Sequence, residues 1–302
     1  MIDTARKTAD VSPAAERAAK APDAAPAPLA GGAPFRFALV ADLHFGSVPD
    51  GLAAALHDDL AESAPDLVII AGDLTLRARS REFDAAREWL DALKTEKMVL
   101  PGNHDLPYVN LWERFFNPYR RFSALGGGPL EPVYDAGAVV IAGLNTTRSW
   151  QPHLKWQEGV ARPRGVAAAV ERLSGGAPQT FRAVVSHHPL SLGANAPPYV
   201  RPAIGAEAAV NALTDAGAEL FMSGHVHRGF AHAFEAAGAP RIALGAPTAL
   251  SNRLRGEPNG YWLAEIGADQ MRFLLRRRGE ARFGLERDIT FPRRAQSHMN
   301  AK

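Results

Sequence analysis

Residues 66–75 read DLVIIAGDLT, an apolar and β-branched run that ends in a glycine followed by an aspartate. Such runs are typical of buried strands, and the glycine permits a sharp turn where the chain leaves the sheet. Asp73 would then lie just beyond the carboxyl end of a strand. Because ligands of open α/β sheets bind at these ends, the stretch predicts an α/β fold with a polar side chain at its functional edge.

Four other segments repeat this plan, because the apolar runs FRFALVA, KMVL, FRAVV and AELFM each precede a short polar segment. Those segments are Asp42-Leu43-His44, Gly102-Asn103-His104-Asp105, Ser186-His187-His188-Pro189 and Gly224-His225-Val226-His227. Together with the Asp73 segment they would deliver six histidines, three aspartates and one asparagine to one place. Each motif alone is also explained by turn or surface chemistry. The joint pattern predicts a metal site with two ions.

The spacing within the motifs supports this interpretation. Asp42 and His44 are two residues apart, as are His225 and His227. Side chains at this spacing in an extended chain point the same way, so each pair could hold one ion. Imidazole, carboxylate and amide oxygen suit Mn, Fe, Zn, Co or Ni better than Ca or Cu(I). Two ions about 3.5–4 Å apart need a shared ligand, and Asp73 is the natural bridge.

The set D-x-H, G-D, G-N-H-D, H-H-P and G-H-x-H resembles the calcineurin-like metallophosphoesterases over about residues 35–266, and the run is most similar to their bacterial cyclic-nucleotide phosphodiesterases. The resemblance implies a four-layer αββα sandwich, with two mixed sheets and a dinuclear site at the strand ends. It implies two divalent transition-metal ions, of Mn, Fe or Zn. The implied ligands are Asp42, His44, Asp73 and His227 for the first ion, and Asp73, Asn103, His187 and His225 for the second.

The same resemblance implies catalytic roles for two further residues. His104 would contact the phosphate and the leaving group, and Asp105 would orient His104, as a second carboxylate commonly does for a histidine. Purple acid phosphatases carry a tyrosine three residues after the bridging aspartate, whereas this chain has Leu76. A divalent pair is therefore favoured over a tyrosinate-bound ferric ion.

Three functions remain open at this point. The first is a phosphodiesterase that uses a metal-bridging hydroxide on a small-molecule phosphodiester, with cyclic nucleotides the leading candidate by resemblance. The second is a hydrolase of a lipid-linked pyrophosphate or a phospholipid, which needs an apolar groove or lid. The third is a non-catalytic metal-stabilised scaffold. Members of the third kind lose ligands or the histidine of G-N-H-D, and this chain keeps both.

Length and composition predict one domain. A chain of 302 residues with 46% hydrophobic content can bury one large core. We expect a metallophosphoesterase domain over 34–290, preceded by a disordered Ala/Pro-rich tail at 1–33 and followed by a loose tail at 291–302. Helices are expected near 50–63, 80–93, 163–173 and 204–216. The strands near 138–145, 230–236, 240–245, 259–266 and 270–276 are expected to build the second sheet.

Charge and composition also limit the partners. The formal net charge is only +2, there is no cysteine, and no apolar stretch approaches the ~20 residues of a membrane span. We therefore expect no stable nucleic-acid complex, no transmembrane segment and a cytoplasmic location. The oligomeric state does not follow from the sequence.

Three regions have two interpretations each. Arg148 and Arg255 lie in irregular segments and are candidate substrate-binding residues, since a guanidinium suits phosphate, or they decorate surface loops. Trp150 and Trp156 would stack a base or pack on the core. The basic stretch from Arg272 to Arg294 would attract an anionic surface, or it is a solvated edge strand with a terminal arm, which we favour.

Overall fold

The computed structural model describes residues 33–125, 128–150, 157–175, 177–192 and 200–293. The expected tail at 1–33 therefore lies outside the described residues except for its last position, as does the end of the chain from 294. The helices described are α1 (Leu52–Ser63), α2 (Ser80–Ala92), α3 (Leu111–Phe116), α4 (Arg120–Ser123), α5 (Pro163–Leu173) and α6 (Ala206–Asp215). The strands described are β1 (Phe35–Val40), β2 (Leu67–Ala71), β3 (Glu96–Leu100), β4 (Val133–Asp135), β5 (Val139–Leu144), β6 (Phe181–Ser186), β7 (Leu220–His227), β8 (Phe230–Ala236), β9 (Ala239–Pro247), β10 (Gly260–Ile266), β11 (Gln270–Arg278) and β12 (Phe283–Pro292).

The strands form two sheets of six. The first has the order β12-β11-β10-β1-β2-β3, and the second has the order β4-β5-β6-β7-β9-β8. In the first sheet β1, β2 and β3 are parallel and the remaining pairs are antiparallel. In the second sheet β5, β6, β7 and β9 are parallel, whereas β4 and β8 are antiparallel edge strands. The expected pair of mixed sheets is confirmed.

The central strands are apolar on both faces because each face is covered. In β1, Phe37 and Leu39 pack toward the second sheet in a core shared with its strands. Val40, on the opposite face, packs with residues of α1 and α2. On the far side of the second sheet, Val184 packs with residues of α5 and α6. Because these strands are buried on both faces, their sequences are continuous apolar runs. The two sheets, each covered on its outer face by helices, form the four layers that were expected.

The assignment of two strands to the second sheet is wrong. The strands expected at 259–266 and 270–276 are β10 and β11, and β10 pairs with β1 of the first sheet, with Trp262 opposite Leu39. After β9 the chain crosses between the sheets, where Thr248 forms a bridge with Ala41. The Ala249 N–H also bonds the Ala41 carbonyl at 3.0 Å. That crossing delivers β10 to the side of β1, and hydrophobic alternation along a strand carries no information about which sheet it joins.

The ordered fold also extends past the expected boundary at 290. Strand β12 continues to Pro292, and Arg293 is buried, with its guanidinium 2.8 Å from a carboxylate oxygen of Glu219. Residues 291–293 are therefore part of the sandwich rather than of a loose tail. The ion pair with Glu219 fixes the end of this edge strand.

The arginines of the last two strands are largely ion-paired. Arg272 pairs with Asp288 at 2.6 Å, and Arg276 pairs with Asp59 of α1 at 2.6 Å. Arg277 contacts Glu257 and also pairs with Glu286 at 2.7 Å. This arrangement supports the interpretation of the basic stretch as part of an edge of the sheet, because these cations already have carboxylate partners.

None of the helices in the described part of the chain has both the length and the apolar character that a membrane crossing requires.

Candidate metal centre

The polar segments meet at the carboxyl ends of the central strands, and their backbone is unusual there. Asp42, His44, Asp73, His225 and His227 all have positive φ, between 47° and 69°. Such a conformation costs a non-glycine residue of order 1–3 kcal/mol and persists where the surroundings enforce it. The expectation that Asp42 and His44 share a direction through extended-strand alternation is therefore wrong. Left-handed turns bring these side chains together instead.

Four side chains form the first cluster, namely Asp42, His44, Asp73 and His227, whose ligand atoms all lie within 4.8 Å of one another. Asp42 Oδ1 is 3.2 Å from His227 Nε2, and Asp73 Oδ2 is 3.7 Å from His44 Nε2. The two Nε2 atoms are 3.2 Å apart. All four side chains are buried. This is the set that the resemblance implied for the first ion.

Hydrogen bonds to main-chain carbonyls fix which ring nitrogen faces the cluster. His44 Nδ1 lies 3.2 Å from the Thr75 carbonyl, and His227 Nδ1 lies 3.1 Å from the Arg253 carbonyl. A carbonyl oxygen only accepts, so each Nδ1 carries the proton and each Nε2 presents a lone pair. His187 Nδ1 likewise donates to the Ala71 carbonyl at 2.8 Å, which leaves its Nε2 facing Asp73. Bonds of this kind are typical of histidines that ligate metals.

The second cluster contains Asp73, Asn103, His187 and His225. Asp73 Oδ1 is 3.4 Å from His187 Nε2. Asn103 Oδ1 is 3.1 Å from His187 Nε2 and also 3.1 Å from His225 Nδ1. The two carboxylate oxygens of Asp73 therefore face different clusters, so this side chain contacts both sets of donor atoms.

The positions and types of the donor atoms in the protein are suited to binding a cation. Asp42 Oδ1 is a buried atom without a hydrogen-bond partner, and it lies among the histidine lone pairs of the first cluster. Lone pairs at such short separations repel, and a positive ion among them would remove the repulsion. Imidazole, carboxylate and amide donors suit a divalent transition metal.

The charges of the site agree with this fit. Burial lowers the pKa of His44 to about 4 and that of His225 to about 3. Burial alone would raise the pKa of Asp73, but His187 and His104 hold it well below its usual range. Burial also opposes protonation of His187, yet Asp73 raises the pKa of this imidazole to about 9. The anionic Asp73 thus favours positive charge beside it.

His188 is a further buried histidine at the second cluster. Its ring centroid is 4.5 Å from that of His225, and its Nδ1 lies 2.9 Å from the Thr146 hydroxyl. The ligand atoms of His187, His188 and His225 lie within 4.8 Å of one another. Sequence reasoning gave His188 no separate role, although the H-H pair marked its position.

His104 lies beside the clusters and faces outward. Its main-chain N–H donates to Asp73 Oδ1 at 2.8 Å, and its Nδ1 donates to the Leu76 carbonyl at 2.7 Å. Its Nε2 faces Arg253, whose Nη1 is 3.3 Å away. His104 is therefore held next to the bridging aspartate, with one ring nitrogen available to a substrate.

The expected role of Asp105 as the residue that orients His104 is wrong, because the Leu76 carbonyl holds that ring. Asp105 Oδ2 accepts the N–H groups of Gly102 at 2.8 Å and Leu74 at 3.2 Å. Asp105 Oδ1 accepts the N–H of Thr75 at 2.9 Å and also lies 3.0 Å from the Thr75 hydroxyl. Asp105 thus ties the Asp73 segment to the Asn103 segment. Gly102 permits this approach, since a Cβ there would lie 2.1 Å from Asp73 Oδ1.

We expect Asp105→Ala to lower the free energy of unfolding by about 3–5 kcal/mol, because it orphans several buried donors that each cost ~1–3 kcal/mol. Urea unfolding followed by circular dichroism measures this. Asp135→Ala is the matched control, since the exposed Asp135 accepts one turn hydrogen bond, from Gly137. A stable Asp105→Ala variant that loses only activity would restore the orienting role.

A pocket of about 620 Å³ opens beside His104. Its walls include Leu76, Arg77, His104, Tyr108, Val109 and Arg253. The described residues that line it include neither Arg148 nor Arg255. The Arg148 carbonyl accepts a hydrogen bond from Arg114, and the Arg255 carbonyl accepts one from Arg228. The arginine that reaches His104 is Arg253.

The sequence analysis selected Arg255 and not the nearby Arg253. Both belong to one irregular segment, and the contacts of Arg253 with His227 and His104, which depend on the tertiary fold, distinguish the two. Arg77 and Tyr108 follow two of the metal motifs by a few residues, which is the signal that could have found them. Trp150 is 57% exposed and does not line the pocket, and Trp156 lies outside the described residues.

Residues 35–229, more than half of the chain, match the family model of the calcineurin-like phosphoesterases. The chain therefore belongs to this family, which supports a hydrolase that acts on phosphoesters. The family and the Asp/His clusters together point to divalent metal ions.

The individual proteins that this chain resembles have low sequence identity to it. A probable cyclic nucleotide phosphodiesterase of Synechococcus sp. is 26% identical over 249 residues, which cover 76% of this chain and 90% of that protein. A purple acid phosphatase from yellow lupin (Lupinus luteus) seeds superposes with a TM-score of 0.64 at 12% identity, over 88% of this chain and 55% of the phosphatase. The structure of PhoD superposes with a TM-score of 0.66 at 12% identity, over 88% of this chain and 71% of PhoD. Both structures share the fold of this chain.

Proposed function

We propose that the chain is a phosphodiesterase whose two clusters hold two divalent transition-metal ions, with Mn, Fe and Zn the candidates. The observation that carries this proposal is the orientation of Asp73, whose two oxygens face one cluster each. When bound, such a pair supplies an activated water nucleophile and stabilises charge on the phosphoryl oxygens. The ligands proposed are Asp42, His44, Asp73, Asn103, His187, His225 and His227.

Side chains of the protein then position the ester and transfer a proton to its leaving oxygen. His104 would donate a proton from Nε2 to the leaving oxygen when its ring carries protons on both nitrogens, and the Leu76 carbonyl and Asp73 keep the ring in place. Arg253 and Arg77 bind the anionic oxygens, because a guanidinium donates two parallel hydrogen bonds to phosphate. The described residues that line the pocket include no carboxylate to oppose an anion.

The similarity to the probable cyclic nucleotide phosphodiesterase of Synechococcus favours a cyclic nucleotide as the substrate of this chain. The pocket has a volume within the ~300–1,000 Å³ common for small-molecule sites. The Tyr108 ring is 5.7 Å from that of His104, so a base could stack on it while the phosphodiester reaches the metals. A phospholipid or lipid-linked pyrophosphate is a second candidate. It is favoured by the exposed apolar side chains of Val109 and α3, which continue one wall of the pocket.

A substrate panel tests the proposal. Protein loaded with Mn should hydrolyse bis-p-nitrophenyl phosphate and cyclic AMP faster than p-nitrophenyl phosphate, and protein stripped by a chelator should hydrolyse none of them. A phospholipid added to the panel separates the two candidate substrates. Metal-loaded protein that hydrolyses only the monoester contradicts the phosphodiesterase, and metal-loaded protein that hydrolyses no member of the panel contradicts the proposed function.

We expect Arg253→Ala to raise KM for the nucleotide substrate about tenfold, because it removes a charge-assisted contact beside His104. The KM for p-nitrophenyl phosphate, which reaches little beyond the metals, should change less. Arg148→Ala and Arg255→Ala serve as matched controls and should leave both KM values near those of the wild type. If steady-state kinetics show a larger increase in KM for Arg148→Ala or Arg255→Ala than for Arg253→Ala, then Arg148 or Arg255 binds the substrate instead.

A further inference from the structure

Helix α3 is built with its polar side chains inward and its apolar side chains outward. Glu113 and Arg114 are buried against the body of the protein. Glu113 pairs with Arg120 at 2.7 Å and with Arg121 at 2.6 Å. Arg114 donates to the main-chain carbonyls of Ser149 at 2.9 Å and Pro107 at 3.0 Å. Ion pairs and hydrogen bonds, not an apolar stripe, fix this helix to the fold.

The outward side of the helix is apolar. Trp112 is 72% exposed and Phe116 is 70% exposed, with their ring centroids 4.7 Å apart. Val109, in the turn before the helix, is 87% exposed. The apolar face defined here consists of Tyr108, Val109, Leu111, Trp112, Phe115 and Phe116. Contiguous apolar patches of this kind mark interaction sites when they occur on a stable surface.

The apolar face is continuous with the candidate active site. Tyr108 and Val109 line the pocket that also contains Arg77, His104 and Arg253. An occupant of the face therefore also meets cations at the mouth of the pocket. Within the described stretch 106–117 the one carboxylate, Glu113, is buried in ion pairs and does not oppose an anionic occupant.

We propose that the apolar face docks on an anionic phospholipid surface, with Trp112 and Phe116 inserted at the level of the headgroups. Tryptophan and phenylalanine are the side chains that interfacial helices place there, and arginines beside them add attraction to anionic lipids. A second copy of the chain suits the face less well. A stable dimer buries about 800 Å² on each partner, which is much for one six-residue helix and the turn before it.

Vesicle sedimentation with the 302-residue chain tests this docking without any catalytic readout, so its outcome is independent of the proposed function. Vesicles that contain phosphatidylglycerol should bind the wild-type protein, and vesicles of phosphatidylcholine should bind it several-fold more weakly. Trp112→Ser combined with Phe116→Ser should reduce binding at least about tenfold. Leu285→Ser, at an exposed apolar position in the edge strand β12 of the first sheet, is the matched control and should bind like the wild type.

Two results would overturn the proposal. The first is wild-type protein that stays in the supernatant with both kinds of vesicle. The second is a concentration-dependent dimer in analytical ultracentrifugation that the double substitution abolishes, which would make a second copy the occupant. Unchanged thermal unfolding of the double variant, expected because both rings are exposed, establishes that any loss of binding is local.

Discussion

Asp73→Asn should lose metal at both clusters at once. Asp73 Oδ2 faces His44 at 3.7 Å and Asp73 Oδ1 faces His187 at 3.4 Å, so this one side chain belongs to both donor sets. Removing its charge leaves the first cluster with only Asp42 as a carboxylate and the second cluster with none. Because even outer partners of metal ligands are worth ~10–100-fold in affinity, we expect a loss of at least about 100-fold at each cluster. Elemental analysis after dialysis should find far below two equivalents.

Asp42→Asn is the matched control for this experiment. Asp42 belongs to the first cluster, where its Oδ1 is 3.2 Å from His227 Nε2. Its replacement should weaken one ion and leave the other in place. A wild type with one tight ion that Asp73→Asn does not disturb would contradict the assignment of Asp73 as a shared ligand.

His104→Ala should keep both ions and lower kcat by about 10²–10⁴, the usual range for a positioned acid or base. His104 is not among the clustered ligand groups, and its Nε2 faces the pocket rather than either cluster. The loss should be smaller for esters with good leaving groups, since these need less protonation. Steady-state kinetics on a series of aryl diesters measures the dependence.

A uniform loss across the series would contradict the proton-donor role and leave His104 as a phosphate contact. Elemental analysis of the same variant provides the control. If His104→Ala also released metal, the loss of kcat would no longer report on proton transfer.

The sequence predicted buried strands with polar residues at their ends because these follow from local patterns, whereas the four-layer sandwich and the division of the Asp, Asn and His side chains into two sets were implied by the family resemblance. Apolar runs such as LVIIA are buried on both faces, and the polar residues after them necessarily lie at the strand ends. The side chains of Asp42 and His227 meet although 185 positions separate them in the numbering, because Asp42 follows β1 of the first sheet, His227 ends β7 of the second, and the two packed sheets place these strand ends side by side. The left-handed turns that complete the clusters were not foreseen, since a non-glycine residue rarely adopts them.

Other features depend on tertiary contacts that a local pattern does not contain. The role of Asp105 is set by main-chain N–H groups of residues that are far from it in the chain, Leu74 and Thr75. The sheet that β10 joins is decided by the crossing near Thr248. Helix α3 was missed because its buried positions are the charged Glu113 and Arg114, the reverse of the pattern by which amphipathic helices are found.

Anomalous diffraction from crystals grown with Mn shows whether two ions share Asp73. We expect two anomalous peaks about 3.5–4 Å apart, one among Asp42, His44 and His227 and the other among Asn103, His187 and His225, with the Asp73 carboxylate between them. A single peak, or two peaks that do not share Asp73, would contradict the proposed two-ion site.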